Sequence, residues 1–226
     1  MKILNFVTAT ATPIRAAFVL AFAITMLGAG NVYAQTAAPA PKPVKTFTEK
    51  DREFALKYFN ETRDDFNSQL NGLSDAQLNF RSAPGRWTIG EIAEHIIVTE
   101  AALFGMIKDQ AFKTPAPAAL NDFRINDIAV ILAITNRSQK FSAPEQVRPN
   151  GRWKTREELL SNFEKTRSQT IEFIKANKLD LRSYSFPTPA VGISDAFQAF
   201  LAVAGHSERH LLQLKEVKAD AGYPKK

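Results

Sequence analysis

Three apolar periodic stretches of the chain are preceded by the pattern Thr-x-x-Glu or Thr-x-x-Asp, which is typical of the start of an α-helix. The three segments with this pattern are Thr48–Asp51, Thr88–Glu91 and Thr155–Glu158. In such a capping box, the threonine and the acidic side chain accept hydrogen bonds from backbone N–H groups that have no partner inside the helix. Each segment is followed by apolar residues spaced three and four apart, the spacing of a buried helical face. The combination predicts an all-α protein.

The periodic stretches predict four helices of about 20 residues each. They run from Thr48 to near Asn71, from Thr88 to about Lys113, from Thr155 to about Asn177, and from Ser194 and Asp195 to about Lys218. A further helix-like segment, apolar in its middle, lies between Asn121 and Gln139. No stretch alternates as a strand over more than a few residues. We therefore expect a four-helix bundle with one long crossover, occupying residues 47–220.

The first 34 residues have the three-part pattern of a secretory signal peptide. Lys2 and Arg15 give a basic start, Ala16–Leu27 is an apolar run, and Val32–Ala34 has the small-x-small form of a cleavage site. An uncleaved anchor is the alternative, but the run is shorter than the roughly 20 residues of a spanning helix. We predict cleavage of residues 1–34, an Ala/Pro-rich linker at residues 35–46, and a periplasmic or secreted protein without stable membrane insertion.

Composition excludes several classes of function. The removed segment holds two basic residues and no acidic ones, so cleavage lowers the formal charge from +6 to +4. The lysines and arginines are scattered among acidic residues, which is typical of a solvated helical surface and predicts no nucleic-acid partner. The chain has no cysteine, which excludes thiolate metal ligands and cysteine nucleophiles. The oligomeric state is left open, with a homodimer among the candidates.

The three histidines of the chain have a spacing that favours metal binding. His206 and His210 are four residues apart in the last predicted helix, and His95 lies near the start of the second. Residues four apart share a helical face. Two such imidazoles and a third from a neighbouring helix would form a three-nitrogen site with an open coordination position, as in catalytic zinc sites. The alternative is that they are ordinary hydrogen-bonded histidines of the core or surface.

The residues around the histidines limit the reactions that such a site could catalyse. Glu208 lies two residues after His206, so the segment is not His-Glu-x-x-His, and this excludes a zinc protease with a glutamate base of that type. Glu91 and Thr99, one turn either side of His95, and Gln213, near the face of His210, are candidates to orient the rings. For Glu91, the capping box is already a sufficient explanation.

Four segments together resemble the DinB-like superfamily of helical bundles. They are GRWTIGEIAEHI, FSAPEQVRPNGRW, TREELLSNFEKTR and AVAGHSERHLLQL, and the similarity extends in the same order from about Lys45 to Val217. Its most specific parts are Trp-x-x-x-Glu-x-x-x-His in the second helix and the histidine pair of the last. The resemblance implies a four-helix fold and a divalent metal ion bound by His95, His206 and His210.

The resemblance also implies two kinds of enzymatic activity, between which the sequence has to decide. Some relatives are metal-dependent hydrolases, and others transfer substrates with a thiol such as bacillithiol or mycothiol. Export would separate this chain from those cytoplasmic thiols, so hydrolysis of an unknown small-molecule substrate is favoured. The nucleophile would be a water molecule whose pKa the metal lowers towards 7. A thiol-dependent transferase and a non-catalytic metal- or small-ligand-binding module remain alternatives. All-nitrogen ligation favours zinc or nickel, with iron, cobalt, copper or manganese as further candidates.

Overall fold

The computed structural model describes residues 45–116 and 125–225 of the chain. The helices are α1 (Glu49–Leu70), α2 (Asp75–Leu78), α3 (Ile89–Gln110), α4 (Asp127–Thr135), α5 (Arg156–Ala176) and α6 (Ala196–Lys218), with short 3-10 turns at Ala111–Lys113, Glu145–Val147 and Leu181–Ser183. The predicted signal peptide and nearly all of the predicted linker lie outside the described residues. Within the described ranges, no helix has both the length and the apolar character needed to cross a membrane.

The capping boxes form as the sequence predicts. In α1, α3 and α5, the threonine side chain accepts from the third helical N–H, and the acidic side chain at that position accepts from the backbone N–H of the threonine. α6 begins in the same way with Asp195 and Gln198. α1 ends at Leu70 with Asn71 as its cap residue, and Gly72 follows with φ of 73°, a conformation that glycine adopts without strain. The four predicted long helices are thereby confirmed.

The long helices pack as a four-helix bundle. α1 contacts α5 and α6, and α3 contacts the same two helices, so α1 and α3 occupy opposite corners. The long crossover between α3 and α5 contains α4, which packs against α6. Helix α4 is shorter than the predicted segment Asn121–Gln139: it starts after the cap residue Asn126, and residues 121–124 lie outside the described part. The adjacency of α3 and α6 is what positions the candidate site.

Two short strands depart from the prediction of a purely helical chain. β1 (Ser185–Thr188) and β2 (Gly192–Asp195) pair antiparallel, with Ser185 opposite Asp195 and Thr188 opposite Gly192. The sequence showed no alternation long enough to predict these strands, and the hairpin is a small addition to the helical bundle. Strands of four residues are too short to show a reliable alternation of apolar and polar residues. β1 also contains a proline, a residue that is disfavoured in strands. The hairpin leads directly into α6.

A buried arginine ties together the starts of three helices. The guanidinium of Arg182 donates to Asp51 at the start of α1 (2.7 Å), to Asp127 at the start of α4 (2.8 Å) and to Asp195, the cap of α6 (3.0 Å). Burial raises the pKa of Asp127, but hydrogen bonds from Arg182 and Lys45 outweigh it and hold that pKa well below 3.8. At a pH low enough for the unfolded chain to bind a proton at Asp127, the folded protein therefore still keeps this carboxylate ionised.

We expect Asp127→Asn to reduce the acid sensitivity of folding. As the pH falls below 3.8, the unfolded chain protonates Asp127 and the folded chain does not, so stability is lost by up to about 1.4 kcal/mol per pH unit. The asparagine variant lacks this contribution. Urea denaturation between pH 4 and pH 2.5 should give a shallower slope for the variant than for wild type. Asp64→Asn, at an exposed carboxylate of α1, is the control; equal slopes for wild type and Asp127→Asn would contradict the prediction.

Candidate metal centre

The structure brings all three histidines of the chain into one cluster. His95 comes from α3, and His206 and His210 come from adjacent turns of α6. One ring nitrogen of each can be chosen so that the three atoms all lie within 4.8 Å of one another. The ring centroids are 4.5 to 5.0 Å apart. His95 is buried, and the other two are partly exposed, so the cluster lies at an accessible edge of the bundle interior.

The hydrogen bonds of His95 determine which of its ring nitrogens carries the proton. Its Nδ1 lies 2.7 Å from the carbonyl oxygen of Val147, which can only accept, so this nitrogen carries the proton. The hydroxyl of Thr99 is 3.3 Å from the same nitrogen, as its position one turn later led us to expect. Nε2 of His95 consequently keeps a free lone pair, which is the form that binds a metal.

His210 is oriented in the same way by a side chain of its own helix. Its Nδ1 lies 2.8 Å from Oε1 of Gln213, so the predicted proximity of Gln213 is confirmed. With the amide oxygen as acceptor, Nδ1 donates and Nε2 keeps the lone pair. Glu91, the other candidate, accepts from the backbone N–H of Thr88 instead, as expected of a capping residue.

The environment keeps the three rings neutral. Burial lowers the pKa of His95, although the hydrogen bond to Val147 opposes this. Burial, together with the charges of His210 and His95, lowers the pKa of His206 well below 6.5. Burial, followed by the charge of His95, lowers the pKa of His210 to about 3. Imidazoles must be unprotonated to bind a metal, so the cluster is already in its binding form at neutral pH.

Three other parts of the surroundings contact the site or its helices, and the sequence analysis assigned none of them such a role. The ring of Trp87 lies beside the cluster, with its centroid 4.8 Å from that of His95. Arg209, between the paired histidines, donates to carbonyls of Ile134, Asn136 and Gln139 and so fastens the end of α4 to α6. The Val147 carbonyl acts through the backbone, so side-chain identity gave no signal for it. The motif Trp-x-x-x-Glu-x-x-x-His did contain Trp87.

The donor set fits a divalent transition metal. Three imidazole nitrogens suit zinc and its first-row neighbours, and a set of three rather than four protein ligands is typical of catalytic zinc sites. Within residues 45–116 and 125–225, this is the one cluster of three or more histidine, aspartate or glutamate side chains with such spacing. Fold and site together define a helical bundle with a three-histidine centre between two of its helices.

Comparison with known proteins identifies the family. The sequence model of the DinB superfamily matches residues 58–214, more than half of the chain and a range that includes all three histidines. The chain therefore belongs to the DinB superfamily, as the resemblance of its segments led us to expect.

Two relatives from Bacillus subtilis show how far the similarity extends. The uncharacterized protein YuaE of strain 168 is 24% identical over 163 residues, which cover 72% of this chain and 96% of YuaE. The structure of YfiT, described as a probable metal-dependent hydrolase with an unusual four-helix bundle topology, matches with a TM-score of 0.51 and 13% identity. That match covers 81% of this chain and 94% of YfiT, and at this identity it concerns the fold.

Proposed function

We propose that the protein is a metal-dependent hydrolase in which His95, His206 and His210 bind one divalent metal ion. The observation that carries the proposal is the cluster of three neutral imidazoles, from two neighbouring helices, with candidate ligand atoms within 4.8 Å of one another. The description of YfiT as a probable metal-dependent hydrolase supports the same activity for this member of the superfamily. Zinc or nickel is the first candidate for the metal.

The residues around the histidines have distinct roles in this proposal. A bound divalent ion would supply a water of lowered pKa and polarise the substrate carbonyl or phosphoryl group. Val147 and Gln213 hold the protons of His95 and His210 on Nδ1, which leaves Nε2 for the ion. The indole ring of Trp87 packs beside the ring of His95. Glu208 is not assigned as a base, because its carboxylate accepts a hydrogen bond from Tyr58.

A turnover assay tests the proposal. Metal-free protein is reloaded with zinc or nickel and offered a panel of carboxylic esters, phosphate esters and amides. We expect hydrolysis in proportion to bound metal, and its loss in His206→Ala/His210→Ala. Glu208→Gln, on the same helix, is the matched control and should keep its activity. Stoichiometric metal without turnover on any member of the panel would instead indicate the non-catalytic binding module.

We also propose that the protein is exported and that its function lies outside the cytoplasm. The support is the basic start, the apolar run Ala16–Leu27 and the small-x-small motif Val32–Ala34. Amino-terminal sequencing of the native protein from the periplasmic fraction or the medium should begin at Gln35. Recovery of an intact start from the cytoplasm would contradict export and would bring the thiol-dependent transferase back into consideration.

A further inference from the structure

Glu94, next to His95 on α3, carries a buried carboxylate that no helix cap uses. Its side chain is 2% exposed. One oxygen accepts from the backbone N–H of Asn150 (2.9 Å) and from Arg152 (2.8 Å), and the other accepts from the backbone N–H of Gly151 (2.9 Å). A buried carboxylate is tolerated only when it is compensated in this way. Glu94 therefore fixes the position of residues 150–152.

The loop held by Glu94 is short and stiff. Pro149 restricts its own φ, and Gly151 has φ of 79°, a left-handed conformation that favours glycine. Arg152 also donates to the carbonyl of Arg148 (3.2 Å), which closes the loop on itself. Anchoring residues 150–152 consequently limits the movement of Val147, only three residues before them.

The carbonyl of Val147 is the group that accepts from Nδ1 of His95. Consecutive side chains of α3 thus bind the two ends of one loop: Glu94 holds residues 150–152, and His95 donates to Val147. If the Glu94 anchor is removed, the carbonyl is no longer held at hydrogen-bonding distance. Nδ1 of His95 then keeps only the hydroxyl of Thr99, at 3.3 Å, as a partner. A hydroxyl can either donate or accept, so either ring nitrogen can carry the proton.

We propose that Glu94 is a positioning residue for His95, which fixes its tautomer and ring orientation through the loop from Val147 to Arg152. The inference rests on the proposed function, because it assigns Glu94 a role in presenting Nε2 of His95 to the metal. Partners that orient metal-binding histidines typically contribute about 10- to 100-fold in metal affinity. We expect a loss of this size in Glu94→Ala.

The first test reads the tautomer of His95 in the metal-free protein. Long-range 1H–15N spectra distinguish the protonated from the unprotonated ring nitrogen. In wild type, Nδ1 of His95 should carry the proton; in Glu94→Ala, the two tautomers should be mixed. Glu94→Gln keeps the side-chain volume and one acceptor oxygen, so it should shift the tautomer ratio in the same direction by a smaller amount. If Glu94→Ala does not fold, the tautomer of His95 is measured in Glu94→Gln instead.

The control for a merely structural effect is Glu91→Ala, on the same helix one turn earlier. This change removes the capping carboxylate of α3 and its ion pair with Arg81, but it leaves the Glu94 anchor intact. It should lower the melting temperature without altering the tautomer of His95. Zinc affinity, measured by competition with a chelating dye, should be unchanged in Glu91→Ala and weakened about 10- to 100-fold in Glu94→Ala.

The two measurements separate this inference from the proposed function. If Glu94→Ala keeps His95 protonated on Nδ1 and binds zinc as Glu91→Ala does, the positioning role is wrong. If wild type binds neither zinc nor nickel, the proposed function fails, and the tautomer spectra of the metal-free variants still decide whether Glu94 positions His95.

Discussion

Replacing Arg167 with methionine should lower the free energy of unfolding by about 3–5 kcal/mol, the usual cost of leaving one charge of a buried pair uncompensated. The guanidinium of Arg167 donates to the carboxylate of Glu100 at 2.8 and 2.9 Å, and both side chains are essentially inaccessible to water. Without Arg167, the charge of Glu100 remains in the core with only Thr170 as a hydrogen-bond donor among the contacts described.

Arg167 contacts the other three long helices, so its loss should destabilise the whole bundle. From α5, it contacts Glu100 on α3, the Phe59 carbonyl and Thr62 on α1, and Ser207 on α6. One side chain thus links all four long helices, and Ser207 directly follows His206. Loss of these contacts should loosen the packing that brings α3 and α6 together at the histidines.

Urea denaturation at pH 7 measures the effect, and a double variant controls it. In Arg167→Met/Glu100→Leu, both charges are absent, and apolar pairs of similar volume often replace a buried ion pair without loss of stability. The double variant should therefore be more stable than Arg167→Met alone. A single variant as stable as wild type, or a double variant less stable than the single one, would contradict the account.

Binding of zinc should stabilise the folded protein by about 2.7 kcal/mol when free zinc is 100 times its dissociation constant. The stabilisation arises because the three nitrogens are together only in the folded chain. His206→Ala/His210→Ala removes two of them and should abolish the effect, since one imidazole does not form a comparable site. Thermal melting of the metal-free proteins, with and without added zinc, measures this.

A matched variant shows whether zinc acts at the histidines. Gln213→Ala keeps all three imidazoles and removes only the acceptor for Nδ1 of His210, so it should retain part of the stabilisation. If zinc raises the melting temperature of His206→Ala/His210→Ala as much as that of wild type, the stabilising ion binds elsewhere.

Features set by neighbouring residues could be predicted from the sequence. The capping boxes at Thr48, Thr88 and Thr155 depend on residues three apart, and all three form as expected. The pair His206 and His210 shares a helical face for the same local reason. The helices and the paired histidines therefore followed from patterns that are complete within one or two turns.

Features set by contacts between distant segments could not be predicted. The placement of His95 beside the pair depends on α3 packing against α6, which the family resemblance implied but no local pattern determined. The acceptor for His95 is a backbone carbonyl 52 residues away, and every residue type has one. In the sequence, nothing distinguishes Glu94 from the other acidic residues of the helices. Its role depends on its contacts with the loop from Val147 to Arg152.

Elemental analysis of the protein, purified without a histidine tag, tests the central claim most directly. After supplementation with zinc, nickel or manganese and removal of loosely bound ions, wild type should retain about one divalent metal ion per chain, as a single three-histidine site requires. His206→Ala/His210→Ala, treated identically, should retain none. Wild type without stoichiometric metal, or equal metal in both proteins, would contradict the assignment of His95, His206 and His210 as a metal site.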